Sequence, residues 1–152
     1  MNHTTAPQAP ALGDPLGASY RTGFTVGEHS ARHLRRILRV YLANWRLLDL
    51  ADAAELALTE LVANVVRHVP DRRCSMVFLC GAEGVRVEVA DDCPELPVVR
   101  AGAPDGDAEE EAGRGLWLVG AVTDAWGVEP RGGGRAGKTV WFECRAAVKT
   151  DA

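Results

Sequence analysis

No apolar run in this chain approaches the ~18 residues that a membrane-spanning helix needs. The N-terminus has neither the basic start nor the apolar centre of a signal peptide, so a cytoplasmic location is expected. Basic excess is absent as well. The 17 Lys and Arg residues are outnumbered by 21 Asp and Glu, a net charge of −4, and a surface without a basic footprint is not expected to take nucleic acid as its partner. Paired C-x-x-C spacing is missing among Cys74, Cys80, Cys93 and Cys144, which argues against a zinc site. Cys80 and Cys144 fall in apolar, strand-like runs and read as buried free thiols. His29 and His33 stand four apart on a helix, but with no third ligand near them in sequence they read as surface histidines. What is present is ordinary globular composition, 47% hydrophobic and 25% charged over 152 residues, enough for one domain with one core.

Residues 1–18 are rich in Ala, Pro, Gly and polar residues without periodicity, the pattern of a disordered tail. Tyr20 to Val26 reads as a strand. Thr25-Val26-Gly27-Glu28 fits a capping box, in which Thr and Glu side chains satisfy free amides at a helix start. Beyond it Leu34, Ile37, Leu38, Tyr41, Leu42 and Trp45 recur at helical spacing with arginines opposite, a core-facing stripe. Asp52-Ala53-Ala54-Glu55 starts a second helix, which Pro70 cannot continue. Ser75 to Cys80 is a dense apolar run and Gly81-Ala82-Glu83-Gly84 a hairpin-length loop. Val85, Val87 and Val89 then alternate with Arg86 and Glu88, a strand with one buried face. Asp92-Cys93-Pro94-Glu95-Leu96-Pro97 breaks it, and Val98 to Ala112 is a long acidic loop, functional or disordered. Leu116 to Asp124 reads as a helix, Gly127 and Pro130 punctuate the stretch after it, and Thr139 to Cys144 reads as a last strand.

The second helix carries the chemistry. Residues four apart on a helix share a face, so Glu60 stands over Asn64, and Arg67 and His68 continue the stripe. Leu58, Val62, Val65 and Val66 fall mostly off it and are expected in the core. The hard oxygens of Asn and Glu suit Mg²⁺, which usually shares its shell with water and substrate phosphates, and a carboxylate one turn away could orient or deprotonate a hydroxyl. The bland alternative is a solvated helix face. Asp91 falls on the valine face of its strand and so points into the core layer, where a charge is costly unless satisfied. Either a ligand satisfies it or it caps a turn just past the strand. Gly113-Arg114-Gly115-Leu116 leads into a helix, and glycines there let backbone amides approach an anion at the positive helix end.

One motif misleads. Gly132-Gly133-Gly134-Arg135-Ala136-Gly137-Lys138-Thr139 matches the P-loop pattern letter for letter, but a P-loop needs a strand before it and a helix after it. A strand-like run comes after it instead. On that reading Lys138 is dispensable for nucleotide and the stretch is a glycine-rich turn into a terminal strand.

Three boxes therefore stand in order: Glu60-x-x-x-Asn64, Asp91 after a strand, and Gly113-x-Gly115 before a helix. With the Gly137-Lys138-Thr139-Val140-Trp141 ending, the set resembles the GHKL superfamily of ATP-binding domains, shared by histidine kinases, gyrase and MutL. More narrowly it is similar to the anti-sigma-factor serine/threonine kinases of bacteria, in particular the short actinobacterial regulators, over roughly Tyr20 to Cys144. The resemblance implies a Bergerat-type ATP-binding fold, an α/β two-layer sandwich whose mixed, mostly antiparallel sheet has helices packed on one face. It implies one such domain over residues 19–146, between an N-terminal tail of residues 1–18 and a C-terminal tail of residues 147–152. ATP and Mg²⁺ would lie between the helices and a lid formed by the acidic loop. By position Asn64 matches the magnesium ligand and Glu60 the catalytic carboxylate. Asp91 matches the reader of the adenine amino group, and Gly113, Arg114, Gly115 and Leu116 match the phosphate-facing turn. Thr139 matches a polar residue near the adenine end.

The activity implied is phosphorylation of an anti-sigma-antagonist protein, with sequestration of a sigma factor in transcription regulation. The resemblance allows a homodimer and implies no direct nucleic-acid or membrane partner. The alternative is a non-catalytic, ATP-dependent protein-binding regulator. Two departures stand out. The family's usual Asp-x-Gly-x-Gly is here Asp91-Asp92-Cys93-Pro94, without the glycines that shape the lid hinge. The length leaves no room for a phosphoacceptor-histidine domain, so a sensor histidine kinase is not expected, and His68 is not such an acceptor.

Overall fold

The computed structural model of the chain describes residues 17–94 and 111–147. Strand alternation sets the sheet. β2 (Arg73–Gly81) puts Cys74, Met76, Phe78 and Cys80 on one face, and β3 (Gly84–Asp91) puts Val85, Val87, Val89 and Asp91 there. β5 (Lys138–Arg145) adds Lys138, Val140, Phe142 and Cys144. With β1 (Ala18–Thr25) and β4 (Ala125–Pro130) these strands form a five-stranded sheet in the order β1-β2-β3-β5-β4. The four ladders among the described residues are all antiparallel, so the expected sheet is there without the parallel pair that a mixed one would hold. Register lines up Tyr20, Phe78, Val87, Phe142 and Trp126 as one row across all five strands. Burying each such apolar side chain contributes about 1.5–3 kcal/mol.

Three helices lie on that face. α1 (Ser30–Asn44) buries Leu34, Leu38 and Leu42, while Ile37, Tyr41 and Trp45 pack half-buried against the core, as the apolar stripe predicts. The expected capping box does not form. Thr25 is held in the β1 ladder opposite Arg73, so the helix starts five residues later, and the Gly27 amide instead donates to Ser30 Oγ at 2.8 Å. A short 3-10 turn (Leu48–Leu50) leads into α2 (Ala51–His68), which buries Ala54, Ala57, Leu58, Leu61, Val62 and Val65. Val66 is exposed, against expectation. At 100° per residue it lies on the far side of the core stripe from Glu60, turned toward solvent.

α3 (Glu111–Val122) packs chiefly against α2 and starts five residues before Leu116, with both Gly113 and Gly115 inside it. Strand β4 escapes the sequence reading, because six residues containing Gly127 and ending in Pro130 carry little strand signal. It survives as an edge strand, where a proline removes no inner ladder bond. His29 and His33 are exposed. Cys74, Cys80 and Cys144 are buried free thiols and Cys93 is half-buried. The acidic loop read as a lid and most of both expected tails lie outside the described residues. Among the described residues no helix is long and apolar enough to cross a membrane.

Candidate functional site

The stripe on α2 is turned toward α3, and the contact that shows it is at Gly115. A Cβ built at Gly115 would stand 2.8 Å from Glu60 Oε2 and 3.5 Å from Arg67 Nη1. Glu60 and Arg67 are therefore brought together at the first turns of α3, two turns apart along α2, as the helical period requires. Gly115 is there because only a missing side chain lets the carboxylate come so close. Asn64 and His68 lie between this stripe and the core stripe, so Asn64 is only 5% exposed and His68 half-buried. The solvated-face alternative fails for Asn64. His68 Nε2 is buried with no hydrogen-bond partner among the described residues, an orphaned polar atom on the face that carries Asn64. A buried carboxamide and an unpaired imidazole nitrogen fit a polar ligand lying along α2. Among the described residues no group of three or more His, Cys, Asp or Glu could hold a metal ion.

Asp91 is buried at 3%, as the alternation of β3 demands. Its Oδ1 accepts from the Cys93 amide at 2.8 Å, the turn-capping role. It also accepts from Lys138 Nζ at 3.1 Å, and the same ammonium donates to the Cys93 carbonyl at 3.3 Å. Of the two sequence alternatives the turn cap is the one formed, and the chain supplies a further partner that neither included, Lys138. Gly137 makes the contact possible. It sits at φ +113°, and a Cβ there would be 2.0 Å from the Asp91 carbonyl oxygen, so β5 can begin hard against the end of β3 only with glycine at this position.

The same alternation separates two neighbours. Lys138 faces the helices opposite Asp91, and Thr139, paired with Ala90, faces the other side of the sheet. Thr139 is thus not brought to Asp91; Lys138 is. The P-loop reading fails as expected, since residues 138–145 are strand. Yet Lys138 is not incidental, being fully buried in an ion pair. The signal was in the sequence: Lys138, Val140, Phe142 and Cys144 alternate, which puts the lysine on the apolar face. Leu116 is 1% exposed and belongs to the core cluster, where it anchors α3. Gly113 and Arg114 lie in the first turn of α3.

A five-stranded antiparallel sheet with helices on one face, and a helix carrying half-buried Glu60 and buried Asn64 against the first turns of α3, makes an ATPase-like α/β sandwich. The histidine kinase-like ATPase domain matches residues 25–143, and the chain belongs to that family. No curated protein matches the chain. Among solved structures it is similar to that of the RsbU and RsbW domains of Rv1364c from Mycobacterium tuberculosis, with 19% identity and a TM-score of 0.53. That likeness covers 88% of this chain but 34% of the other, and it is a likeness of fold.

Proposed function

We propose that the chain is an ATP-dependent serine/threonine kinase of the anti-sigma-factor type, acting on an anti-sigma-antagonist protein and sequestering a sigma factor in transcription regulation. The observation that carries this reading is the placement of the Glu60 carboxylate against Gly115, beside a buried Asn64. The family match supports ATP, and the fold shared with a structure containing an RsbW domain supports the anti-sigma branch. Mg-ATP, when bound, supplies the phosphoryl group and the cation that neutralises its charge. Asn64 offers its carbonyl oxygen to that cation. Asp91 accepts from the adenine amino group, Gly113 and Arg114 present the first turn of α3 to the phosphates, and Gly115 next to them leaves room for the Glu60 carboxylate. Glu60 takes the proton of the incoming serine or threonine hydroxyl as its oxygen bonds to phosphorus and ADP departs. The active unit in this reading is one domain over residues 19–146, working in the cytoplasm.

Glu60→Gln tests it. The variant keeps the contacts that hold nucleotide, so ATP should bind nearly as tightly as to wild type. Phosphoryl transfer to candidate antagonists should fall at least ~10²-fold, the usual range for losing a general base. Transfer at the wild-type rate would remove Glu60 from the chemistry. ATP binding without transfer by wild type to any antagonist would favour the alternative, a protein-binding regulator switched by nucleotide.

A further inference from the structure

Resting on the nucleotide-binding reading, we propose that Lys138 determines base specificity: its ammonium donates to ring nitrogen N1 of a bound adenine while Asp91 beside it accepts from the exocyclic amino group. Lys138 is 0% exposed, on the helix-facing side of β5, and is held there by the Gly137 backbone that seats β5 on the end of β3. An ammonium has three donors. Asp91 Oδ1 at 3.1 Å and the Cys93 carbonyl at 3.3 Å take two, which leaves one for a ligand acceptor. Oδ1 of Asp91 already accepts from both Lys138 and the Cys93 amide, so Oδ2 is the oxygen left for a base amino group.

The buried pair thus places an acceptor and a donor side by side. The Watson–Crick edge of adenine presents the complement on neighbouring atoms, a donating amino group and an accepting N1. Guanine presents the reverse order, an accepting O6 and a donating N1, so in the same orientation acceptor would meet acceptor and donor would meet donor. Lys138 also neutralises the buried Asp91 carboxylate, and removing one member of such a pair is costly; that structural role by itself predicts no dependence on N1 of the base, which the test reads.

The test is binding of three nucleotides to the full wild-type chain in Mg²⁺, measured by calorimetry. The compound 1-deaza-ATP has C–H in place of N1 and keeps the amino group; 7-deaza-ATP is altered only on the opposite edge. ATP and 7-deaza-ATP should bind within a few fold of each other, and 1-deaza-ATP ~10- to 100-fold more weakly, as expected for loss of a hydrogen bond to a charged donor. Equal binding of ATP and 1-deaza-ATP overturns the role of Lys138 and leaves the nucleotide reading intact. Binding of none of the three overturns both. Lys138→Met, which keeps the side-chain stem and removes the donor, gives a second check independent of the first. A folded variant, judged by circular dichroism and melting, should bind ATP and 1-deaza-ATP alike. A preference for ATP surviving in it at tenfold or more would also overturn the proposal.

Discussion

At residue 115 an added methyl group would stand 2.8 Å from Glu60 Oε2, which ties the side chain proposed as the base to a position on another helix. The atom it would strike is the free end of a flexible side chain, so the clash is relieved by moving the carboxylate rather than the backbone. Gly115→Ala should therefore fold with unchanged stability, or up to about 1 kcal/mol more, because alanine is the better helix former. Displacing the base should lower phosphoryl transfer about 10- to 100-fold, as misplacements of about 1 Å do. Melting temperature and transfer rate measured on one preparation check both halves, and parallel loss of both would mean that the contact is only structural. Asn64 gives a second test at this scale. If its buried carboxamide serves a cation, Asn64→Ala should weaken ATP binding in Mg²⁺ far more than in EDTA. Equal loss in the two buffers would count against a metal role.

Helix α2 has three faces, and its phase decides which residues are core, site and surface. Val65 and Leu58 are buried in the core, Glu60 and Arg67 meet α3, and Val66 is exposed. Leu58→Ala should cost about 2–5 kcal/mol, whereas Val66→Ala should stay within ~0.5 kcal/mol. Urea denaturation of the two variants distinguishes this phase from one rotated by a residue, in which Val66 would be costly. The same logic of period governs β5. One residue of shift would exchange Lys138 for Thr139 at Asp91 and turn Phe142 out of the core, so register there is held by the whole row of buried residues across the sheet. Arg86 marks the opposite face. Its guanidinium lies 4.1 Å from the Trp141 ring centroid and pairs with Glu88 at 2.7 Å and Glu143 at 2.8 Å, a cross-strand cluster on the side without helices.

Across the molecule, the thiols report on the core as a unit. Burial pushes Cys74 and Cys144 up to about 12 and Cys80 up to about 11, from an ordinary value of 9.0. Each is an acid whose native pKa lies above its unfolded one. Below pH 9 native and unfolded chains hold these protons equally; above it the unfolded chain loses them first, so stability falls as pH rises. The melting temperature should therefore drop progressively between pH 9 and about 12, and Cys→Ala changes at these positions should flatten that slope. Iodoacetamide should modify Cys93 first, since it alone of the four is only half-buried, and the other three only as the chain opens. Reaction of all four at one rate in the native state would show that the sheet and helices do not enclose them.

The sequence by itself determined the layers and most of the candidate site, because both depend on period. A repeat of 3.6 places Glu60 and Arg67 on one stripe, with Asn64 and His68 between it and the core, and a repeat of two sends Asp91 inward, whatever surrounds them. The same repeat of two puts Lys138 on the apolar face with Val140, Phe142 and Cys144, although the glycine-rich stretch before it matches a P-loop by spacing. What only the tertiary structure decided depends on contacts between distant elements. The approach of Gly115 to Glu60 needs α3 packed on α2, and the pairing of Lys138 with Asp91 needs β5 laid beside β3 in one register. The short edge strand β4 holds its shape by pairing with β5. No local pattern encodes such contacts, since each joins residues distant in the sequence and is fixed only when the whole core packs.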